Sequence, residues 1–152
     1  MKPQLGDTIL NRYTLVSSLR EEPGIQAWKA NDRVLAKDCQ LFIITNRSAF
    51  AAIDELAGRM AATRPDRVIP VLKYRMESDV LLIVMPVDSG QCLTDYMVDT
   101  AKPLSYSAIR SIIGECANVL REVIADTPSG IVITTDTVRV TSSGVQIADA
   151  PC

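Results

Sequence analysis

The hexapeptide CQLFII at residues 39–44 decides the fold, because it has the composition of a strand that is buried in a sheet. β-Branched and aromatic side chains fit a pleated, packed surface well. Two further candidate strands precede it, YTLVSSL at residues 13–19 and IQAWKA at residues 25–30. The turn-forming tetrapeptide EEPG at residues 21–24 separates those two, so the three segments predict an antiparallel meander.

A helix and two more strands are expected after the meander. Ser48 is the expected N-cap of a helix that runs to about Ala62, with Phe50, Ile53, Leu56, Ala57 and Met60 at helical spacing. Pro65 closes this segment. Residues 68–74 and 80–85 are then two apolar strands. The expected fold class is α+β, with a five-stranded antiparallel sheet and one helix after the third strand.

The last third of the chain is expected to be mostly helical. A long helix should begin near Ser105 and end at the TPSG turn of residues 127–130, with an apolar face formed by Ile109, Ile112, Ile113, Cys116, Val119, Leu120 and Val123. A β-hairpin from Val138 to Ala148 should follow. Because residues 86–90 interrupt the strand pattern, we divide the chain into residues 1–88 and 89–152.

Composition excludes several classes of protein. The 152 residues are 47% hydrophobic, which excludes disorder, and the net charge of -2 offers no field for nucleic acid. The longest apolar run, Val80–Met85, is far shorter than the roughly 18 residues that a membrane helix needs. The N-terminus lacks the apolar core of a signal peptide. Without histidine, the chain has no Ser-His-Asp or Cys-His system.

The four cysteines suggest a reducing compartment. Cys39, Cys92, Cys116 and Cys152 show no CxxC spacing, which argues against a zinc ribbon or a redox pair. We interpret them as buried, reduced thiols and expect a cytoplasmic location.

Five stretches carry a resemblance that extends over nearly the whole chain. GDTILNRY at residues 6–13 resembles the entry into the first strand of a bacterial Ser/Thr protein kinase, and WKAND at 28–32 resembles the exit of its second strand. LLIVM at 81–85 resembles the strand that leads to the hinge. SGQCLTDY at 89–96 resembles the start of the next helix, and TSSGVQIAD at 141–149 resembles the run that reaches the Asp-Phe-Gly motif. The resemblance implies a kinase N-terminal lobe (residues 1–88) and a truncated helical C-terminal lobe with a hairpin.

In the kinase register, the phosphate-binding residues are missing. A kinase covers the nucleotide phosphates with a glycine-rich loop and pairs a strand-three lysine with them and with a helix glutamate. The three glycine positions fall on Arg20, Glu22 and Ile25, and the lysine position falls on Phe42. Glu55 lies near the position of the helix glutamate, but it has no lysine to pair with.

The hinge retains only part of its polar character. The resemblance places Met85 at the gatekeeper position and Pro86 where a glutamate is usual. The carbonyl of Pro86 and the N–H of Asp88 are the groups that could still serve adenine-type hydrogen bonding. Alternatively, Phe42 and Met85 fill the pocket. We predict that Phe42 is structural and packs against Met85 and the helix near Leu56.

The catalytic positions are also lost. Counted back from Asp149, the catalytic base position falls on Val132 and the magnesium-binding asparagine position on Thr137. Val132 cannot accept a proton, and nearby Asp136 is explained equally well by turn capping. Asp149 stands where the Asp of Asp-Phe-Gly would be, and one carboxylate is a poor magnesium site without phosphates. We therefore expect no catalytic residue, no metal and no cofactor.

The function that this resemblance implies is that of a pseudokinase, a regulatory or protein-interaction module. One actinobacterial family of degenerate kinase-like domains that the chain resembles is attached to the MurJ/MviN lipid II flippases, which act in peptidoglycan synthesis. There, phosphorylation lets a forkhead-associated protein dock, so the chain could be the intracellular part of a membrane protein. The expected partners are a phosphothreonine-binding forkhead-associated domain, an active kinase or a second copy, with no nucleic acid and no direct membrane insertion. Candidate phosphoacceptors are Thr134, Thr135, Thr137, Thr141, Ser142 and Ser143.

Two alternatives stay open at this point. A divergent phosphotransferase would have to work with Asp149, Glu55 and Asp136 as its remnants. A nucleotide or metabolite sensor would use Pro86 and Asp88 without catalysis. If the chain is cut from a longer protein, the long helix would expose part of its apolar face unless a partner or a second copy covers it. Alternatively, the chain is a reduced kinase fold that closes its core another way.

Overall fold

The computed structural model describes residues 2–63, 66–88, 90–99, 103–126 and 132–150. The TPSG turn expected at residues 127–130 lies outside the described residues, as do Pro65, Ser89 and Cys152. The chain forms two compact units. The first contains residues 2–61 and 70–87, and the second contains Ala62–Ile69 and residues 88–150.

A six-stranded antiparallel sheet and one helix form the first unit. The elements are β1 (Thr8–Ile9), β2 (Tyr13–Glu22), β3 (Ile25–Asp32), β4 (Lys37–Ile44), a 3₁₀ turn (Arg47–Ala49), α1 (Phe50–Thr63), β5 (Lys73–Glu77) and β6 (Val80–Pro86). The strand order is β1-β2-β3-β4-β6-β5.

The prediction of five strands is wrong by one, because the two-residue strand β1 was missed. Leu10 and Asn11 adopt left-handed φ angles of 51° and 53°, which reverse the chain so that Ile9 pairs with Tyr13. A strand this short carries no alternation that a sequence pattern could reveal.

The fourth predicted strand was placed too early. Val68, Ile69 and Val71 are buried, as their apolarity indicated, but they precede β5. In the second unit, the N–H of Ile69 donates to the carbonyl of Ile147 at 2.9 Å, and the N–H of Ile147 donates to that of Arg67 at 2.7 Å. The apolar residues are therefore buried as expected, but their parallel backbone pairing is confined to a single bridge, Val68 with Ile147.

Strand register sets the two faces of the sheet. Residues paired directly across strands share a face, so Ala27, Phe42, Ile83 and Tyr74 form one row across β3, β4, β6 and β5. Helix α1 packs on this face, since a Cβ at Gly58 would lie 3.1 Å from the Tyr74 hydroxyl oxygen. The opposite face buries a second cluster, formed by Tyr13, Leu15, Trp28, Ala30, Cys39, Leu41, Ile43, Leu82 and Val84.

The start of helix α1 corrects another expectation. Ser48 lies inside the 3₁₀ turn, so it is not the N-cap of the helix. Its hydroxyl donates to Asn46 Oδ1 at 2.7 Å instead. Because the chain first forms this tighter turn, helix α1 begins at Phe50, later in the sequence than predicted.

The second unit combines a three-stranded sheet with two helices. Its elements are β7 (Gln91–Cys92), α2 (Leu93–Asp99), α3 (Tyr106–Asp126), β8 (Val138–Thr141) and β9 (Gly144–Ile147), with strand order β7-β8-β9. The core contains Val68, Leu93, Val119, Val123, Val138, Val145 and Ile147. Helix α3 begins after Ser105, whose hydroxyl accepts the N–H of Ala108 at 3.1 Å. No helix among the described residues is long and apolar enough to cross a membrane.

Asp32 and Arg12 form the best-buried ion pair of the first unit's described residues. Asp32 is 4% exposed, and Arg12 Nε and Nη2 donate to its two carboxylate oxygens at 2.8 and 2.7 Å. The backbone N–H groups of Val34 and Leu35 also donate to Asp32, at 3.0 and 3.3 Å. The hydrogen bonds from Arg12, more than any other contact, lower the pKa of Asp32 from 3.8 to about 2.

Replacing Asp32 by asparagine should lower the free energy of unfolding at neutral pH by about 3 kcal/mol, because the guanidinium loses its charged partner. The folded-state pKa of about 2 lies below the ordinary value of 3.8. The stabilisation is therefore complete above about pH 4 and is lost as the pH falls toward 2. Urea unfolding of both proteins across this range should show their difference shrinking.

The matched control is Asp38→Asn, because the Asp38 carboxylate is 47% exposed and pairs with Lys29 at 3.3 Å. Exposed pairs contribute little, so this variant should lose much less stability than Asp32→Asn. A difference between wild type and Asp32→Asn that stays constant down to about pH 2 would contradict the assignment.

Candidate functional site

The β2–β3 hairpin replaces the glycine-rich loop of a kinase with a tight turn. Arg20 and Glu22 lie within β2 and Ile25 opens β3, so only Pro23–Gly24 remains between the strands. Glu22 pairs with Arg20 at 3.4 Å. The glycine-loop positions therefore lie in paired strands, with Arg20 opposite Ala27 and Glu22 opposite Ile25, after a register shift between Ser18 and Arg20.

The tip of this hairpin is fastened to the end of β4. The backbone N–H groups of Thr45 and Asn46 donate to the carbonyl of Gly24 at 2.8 and 3.3 Å. Gly24 has a φ of 81°, and a Cβ there would lie 2.8 Å from Asn46 Cβ. Gly24 thus allows one part of the protein backbone to approach another closely, where a kinase glycine would allow a phosphate to approach.

Phe42 occupies the position of the strand-three lysine and is 5% exposed. It lies in the row of Ala27, Ile83 and Tyr74, on the face covered by helix α1. Glu55, near the position of the helix glutamate, is exposed and forms an i,i+4 ion pair with Arg59. Phe42 is therefore buried as predicted, and Glu55 is engaged on the helix surface.

Gln40 is a site residue that sequence reasoning missed. It lies two residues before Phe42 on the same face of β4, and it is paired directly with Met85 of β6. Its side-chain Nε2 donates to the carbonyl of Pro86 at 3.2 Å. This is the hinge carbonyl that the kinase register leaves available for adenine. One signal was present in the sequence, a lone amide between Cys39 and the apolar run of residues 41–44.

Of the other hinge residues, Met85 is buried in the first unit. Asp88 belongs to the second unit, where its half-buried carboxylate forms an ion pair with Arg139. Arg139 Nη1 also donates to the carbonyl of Asp136 at 2.5 Å. The Asp88 side chain is thus part of a structural network around strand β8.

The catalytic positions of the second unit are bonded to one another. The backbone N–H of Val132 donates to Asp149 Oδ2 at 2.9 Å, and the carbonyl of Val132 accepts the Thr137 hydroxyl at 2.8 Å. These three residues stand at the positions of the base, the Asp-Phe-Gly aspartate and the magnesium asparagine. Their polar atoms are used to hold the turn before β8.

Asp136 and the hydroxyl-bearing residues also serve local structure. Asp136 Oδ1 accepts the Thr94 hydroxyl at 2.7 Å. The Thr134 hydroxyl accepts the N–H of Asp136 at 3.2 Å, and the Thr141 hydroxyl donates to the carbonyl of Gly144 at 2.8 Å. Within the described ranges, no group of three or more acidic or cysteine side chains could hold a metal ion.

The described cysteines are unpaired thiols. Cys39 is buried, while Cys92 and Cys116 are half-buried. Burial, as the largest cause, raises the pKa of Cys39 to about 11 and also raises the pKa of Cys116. Both therefore stay protonated and unreactive at neutral pH.

Among comparisons with known proteins, only those with solved structures give matches. No protein-family model and no curated protein matches the chain. Among solved structures, the chain is similar to "PpkA-294 apo form" with a TM-score of 0.81 and 12% identity, over 97% of this chain and 61% of that one. It is similar to a crystal structure of the Mycobacterium tuberculosis PknI kinase domain, solved as a point mutant, with a TM-score of 0.76 and 17% identity, over 99% and 63%.

The fold is protein kinase-like. Both neighbours are bacterial Ser/Thr kinase domains, which confirms the kinase-like resemblance and the α+β class. The chain spans less than two thirds of either neighbour, at 61% and 63% of their lengths. At these sequence identities the likeness concerns the fold alone.

Gly24→Ala should destabilise the protein more than Gly6→Ala. Both glycines have positive φ angles, of 81° and 87°, so both variants carry the same backbone strain of about 1 kcal/mol. A Cβ at Gly6 would meet nothing within 4 Å, whereas at Gly24 it would collide with Asn46. Gly24→Ala should therefore lose at least about 1 kcal/mol more in urea unfolding. Equal losses would show that the hairpin tip is not fastened to β4.

Proposed function

We propose that this chain is a catalytically inactive kinase-like module that acts by binding another protein. The observation that carries the proposal is the hydrogen bond from Gln40 to the Pro86 carbonyl, at 3.2 Å. In the kinase register that carbonyl would accept the amino group of adenine. The chain supplies an amide donor of its own from the neighbouring strand, so adenine would have to share this carbonyl with Gln40 or displace it.

The hydrogen bond from Gln40 is too weak to exclude a nucleotide alone, so the replacement of the lysine by Phe42 must contribute as well. A neutral hydrogen bond contributes only about 0.5–1.5 kcal/mol, which weakens a competing ligand roughly tenfold at most. The missing lysine removes charge-assisted hydrogen bonds to phosphate worth about 1.5–3 kcal/mol each. The ring of Phe42 also fills the strand face where the lysine would lie. These losses combine to disfavour a bound nucleotide.

Losses at the catalytic positions support the absence of phosphotransfer independently. Absence of a general base typically lowers a rate roughly 10²- to 10⁴-fold, and Val132 offers no proton acceptor. Asp149 already accepts the N–H of Val132 at 2.9 Å. A single carboxylate without a phosphate cradle is a poor magnesium site. These observations disfavour the divergent phosphotransferase, and the Gln40 contact disfavours the nucleotide sensor.

Wild-type protein should neither bind Mg·ATP measurably nor transfer phosphate from it. Isothermal titration calorimetry tests binding, and radiolabel transfer to a generic protein substrate or to the chain itself tests catalysis. Saturable, magnesium-dependent transfer that Asp149→Ala abolishes would contradict the proposal. Asp79→Ala is the matched control, because that carboxylate is 69% exposed and lies in the β5–β6 turn of the first unit.

Phe42→Ala should lower the free energy of unfolding by about 3–5 kcal/mol, because removing a buried ring leaves a cavity. Phe42→Leu retains most of the volume and should lose less than about 1.5 kcal/mol. Phe42→Lys should be at least as destabilising as Phe42→Ala, since Glu55 is exposed and paired with Arg59. Urea midpoints measure all three, and wild-type stability in Phe42→Lys would contradict a structural role.

A further inference from the structure

Helix α3 carries an apolar stripe on its exposed side. Tyr106, Ile109 and Ile113 are 80%, 41% and 63% exposed. Half-buried Cys116 and Leu120 continue the stripe with alternating steps of three and four residues. We call these five residues the α3 seam. This spacing is that of the a and d positions with which one helix packs against another.

Most of this seam lies outside the core of the second unit. Helix α3 buries Val119 and Val123 in the core cluster, with Ile112 and Cys116 packed against it. The seam residues before Cys116 are exposed, so the apolar face of α3 extends past the core contact. An apolar face wider than its core contact leaves room for a further packing partner.

Charge on α3 is segregated relative to the seam. At roughly 100° per residue, Arg110 and Arg121 lie on the same flank, about 60° and 80° from Ile113. Both arginines are exposed, and neither forms an ion pair within the described part of the chain. Glu115 and Glu122 lie about 200° and 180° from Ile113, on the far side. Among the described residues, the seam is thus bordered on one flank by two arginines without an ion-pair partner.

We propose that the α3 seam docks an amphipathic helix of a partner protein, with apolar residues at heptad spacing and acidic residues along one flank. This inference rests on the proposed function and names the surface through which the module binds. Acidic side chains would pair with Arg110 and Arg121 while the apolar residues cover Ile109 and Ile113.

A second copy of the chain lacks this complement. Antiparallel pairing of two α3 helices brings each arginine flank against the other, which is repulsive. Parallel pairing brings the arginines against the opposite flank, where Ile112 and Val119 pack in the core of the second unit and offer no carboxylate. The charges therefore favour a different protein as the occupant.

The experiment selects binders from a displayed library of helices, each about as long as α3, against the whole chain. Seam-facing positions of the library are leucine or isoleucine, and flanking positions are randomised among Glu, Lys and Gln. The proposal expects enrichment of Glu on one flank. Binding of the selected helices should fall at least about tenfold with Ile113→Gln and with the double variant Arg110→Glu/Arg121→Glu. Val34→Gln, at a similarly exposed apolar residue of the first unit, should have no effect.

Three outcomes would overturn the proposal: no binders, binders without acidic enrichment, or binders unaffected by the α3 variants. Concentration-dependent dimerisation in analytical ultracentrifugation that Ile113→Gln abolishes would also overturn it, in favour of a second copy. Because Ile113, Arg110 and Arg121 are exposed, circular dichroism melts of the variants should match wild type. If Ile113→Gln unfolds at a lower temperature than wild type, Ile113→Ser replaces it. The Mg·ATP measurements are independent, so failure of docking and failure of catalytic inactivity are distinguishable.

Discussion

Burial of strand β4 on both faces is the constraint on which the first unit depends. Leu41 and Ile43 pack on one side of the sheet, while Phe42 and Ile44 are buried on the other. A lysine at residue 42 would place an ammonium in this core, at a cost of several kcal/mol unless a carboxylate reached it. Phe42 therefore completes the core and removes the phosphate-binding cation in one step. Under the proposed function, stability and the loss of nucleotide chemistry are linked through one side chain.

The polar groups at the kinase-register positions serve the structure of the chain itself. Gln40 bonds the Pro86 carbonyl, Gly24 accepts two backbone N–H groups, and Asp149 accepts one from Val132. The Pro86 carbonyl and Asp149 stand at positions that a kinase would direct at a nucleotide or a metal, and Gly24 lies between two of the glycine-loop positions. In this chain each satisfies a neighbouring backbone or side-chain partner instead, which is what buried polar groups require when no ligand supplies the bond.

The elements with long apolar patterns could be predicted from the sequence, and those fixed by tertiary pairing could not. Strand β4 and helix α3 were recognised because their side-chain periodicity reflects burial directly. Strands β1 and β7 have two residues each and show no periodicity. Residues 68–71 are apolar enough for a strand, and only the structure reveals that Ile69 bonds β9 and that strand β5 begins at Lys73.

Some features of the candidate site could likewise be predicted from the sequence, and others could not. Absence of the lysine and of the base could be read from Phe42 and Val132, because each role demands a particular side-chain chemistry. The Gln40 contact could not be read, since it depends on the register that sets β4 beside β6. Glu55 illustrates the reverse case: its position matches the helix glutamate, yet its partner is Arg59 on the same helix.

The central claim is that the chain fills its own adenine-binding position with Gln40. The most direct measurement follows the side-chain amide resonances of Gln40 by ¹H–¹⁵N NMR, assigned through their loss in Gln40→Ala, during titration with adenosine into the millimolar range. The account predicts that these resonances stay unshifted and that their exchange with solvent stays slow. A saturable shift of the Gln40 amide together with the backbone resonances around Met85 would show that adenine displaces it, and would contradict the claim.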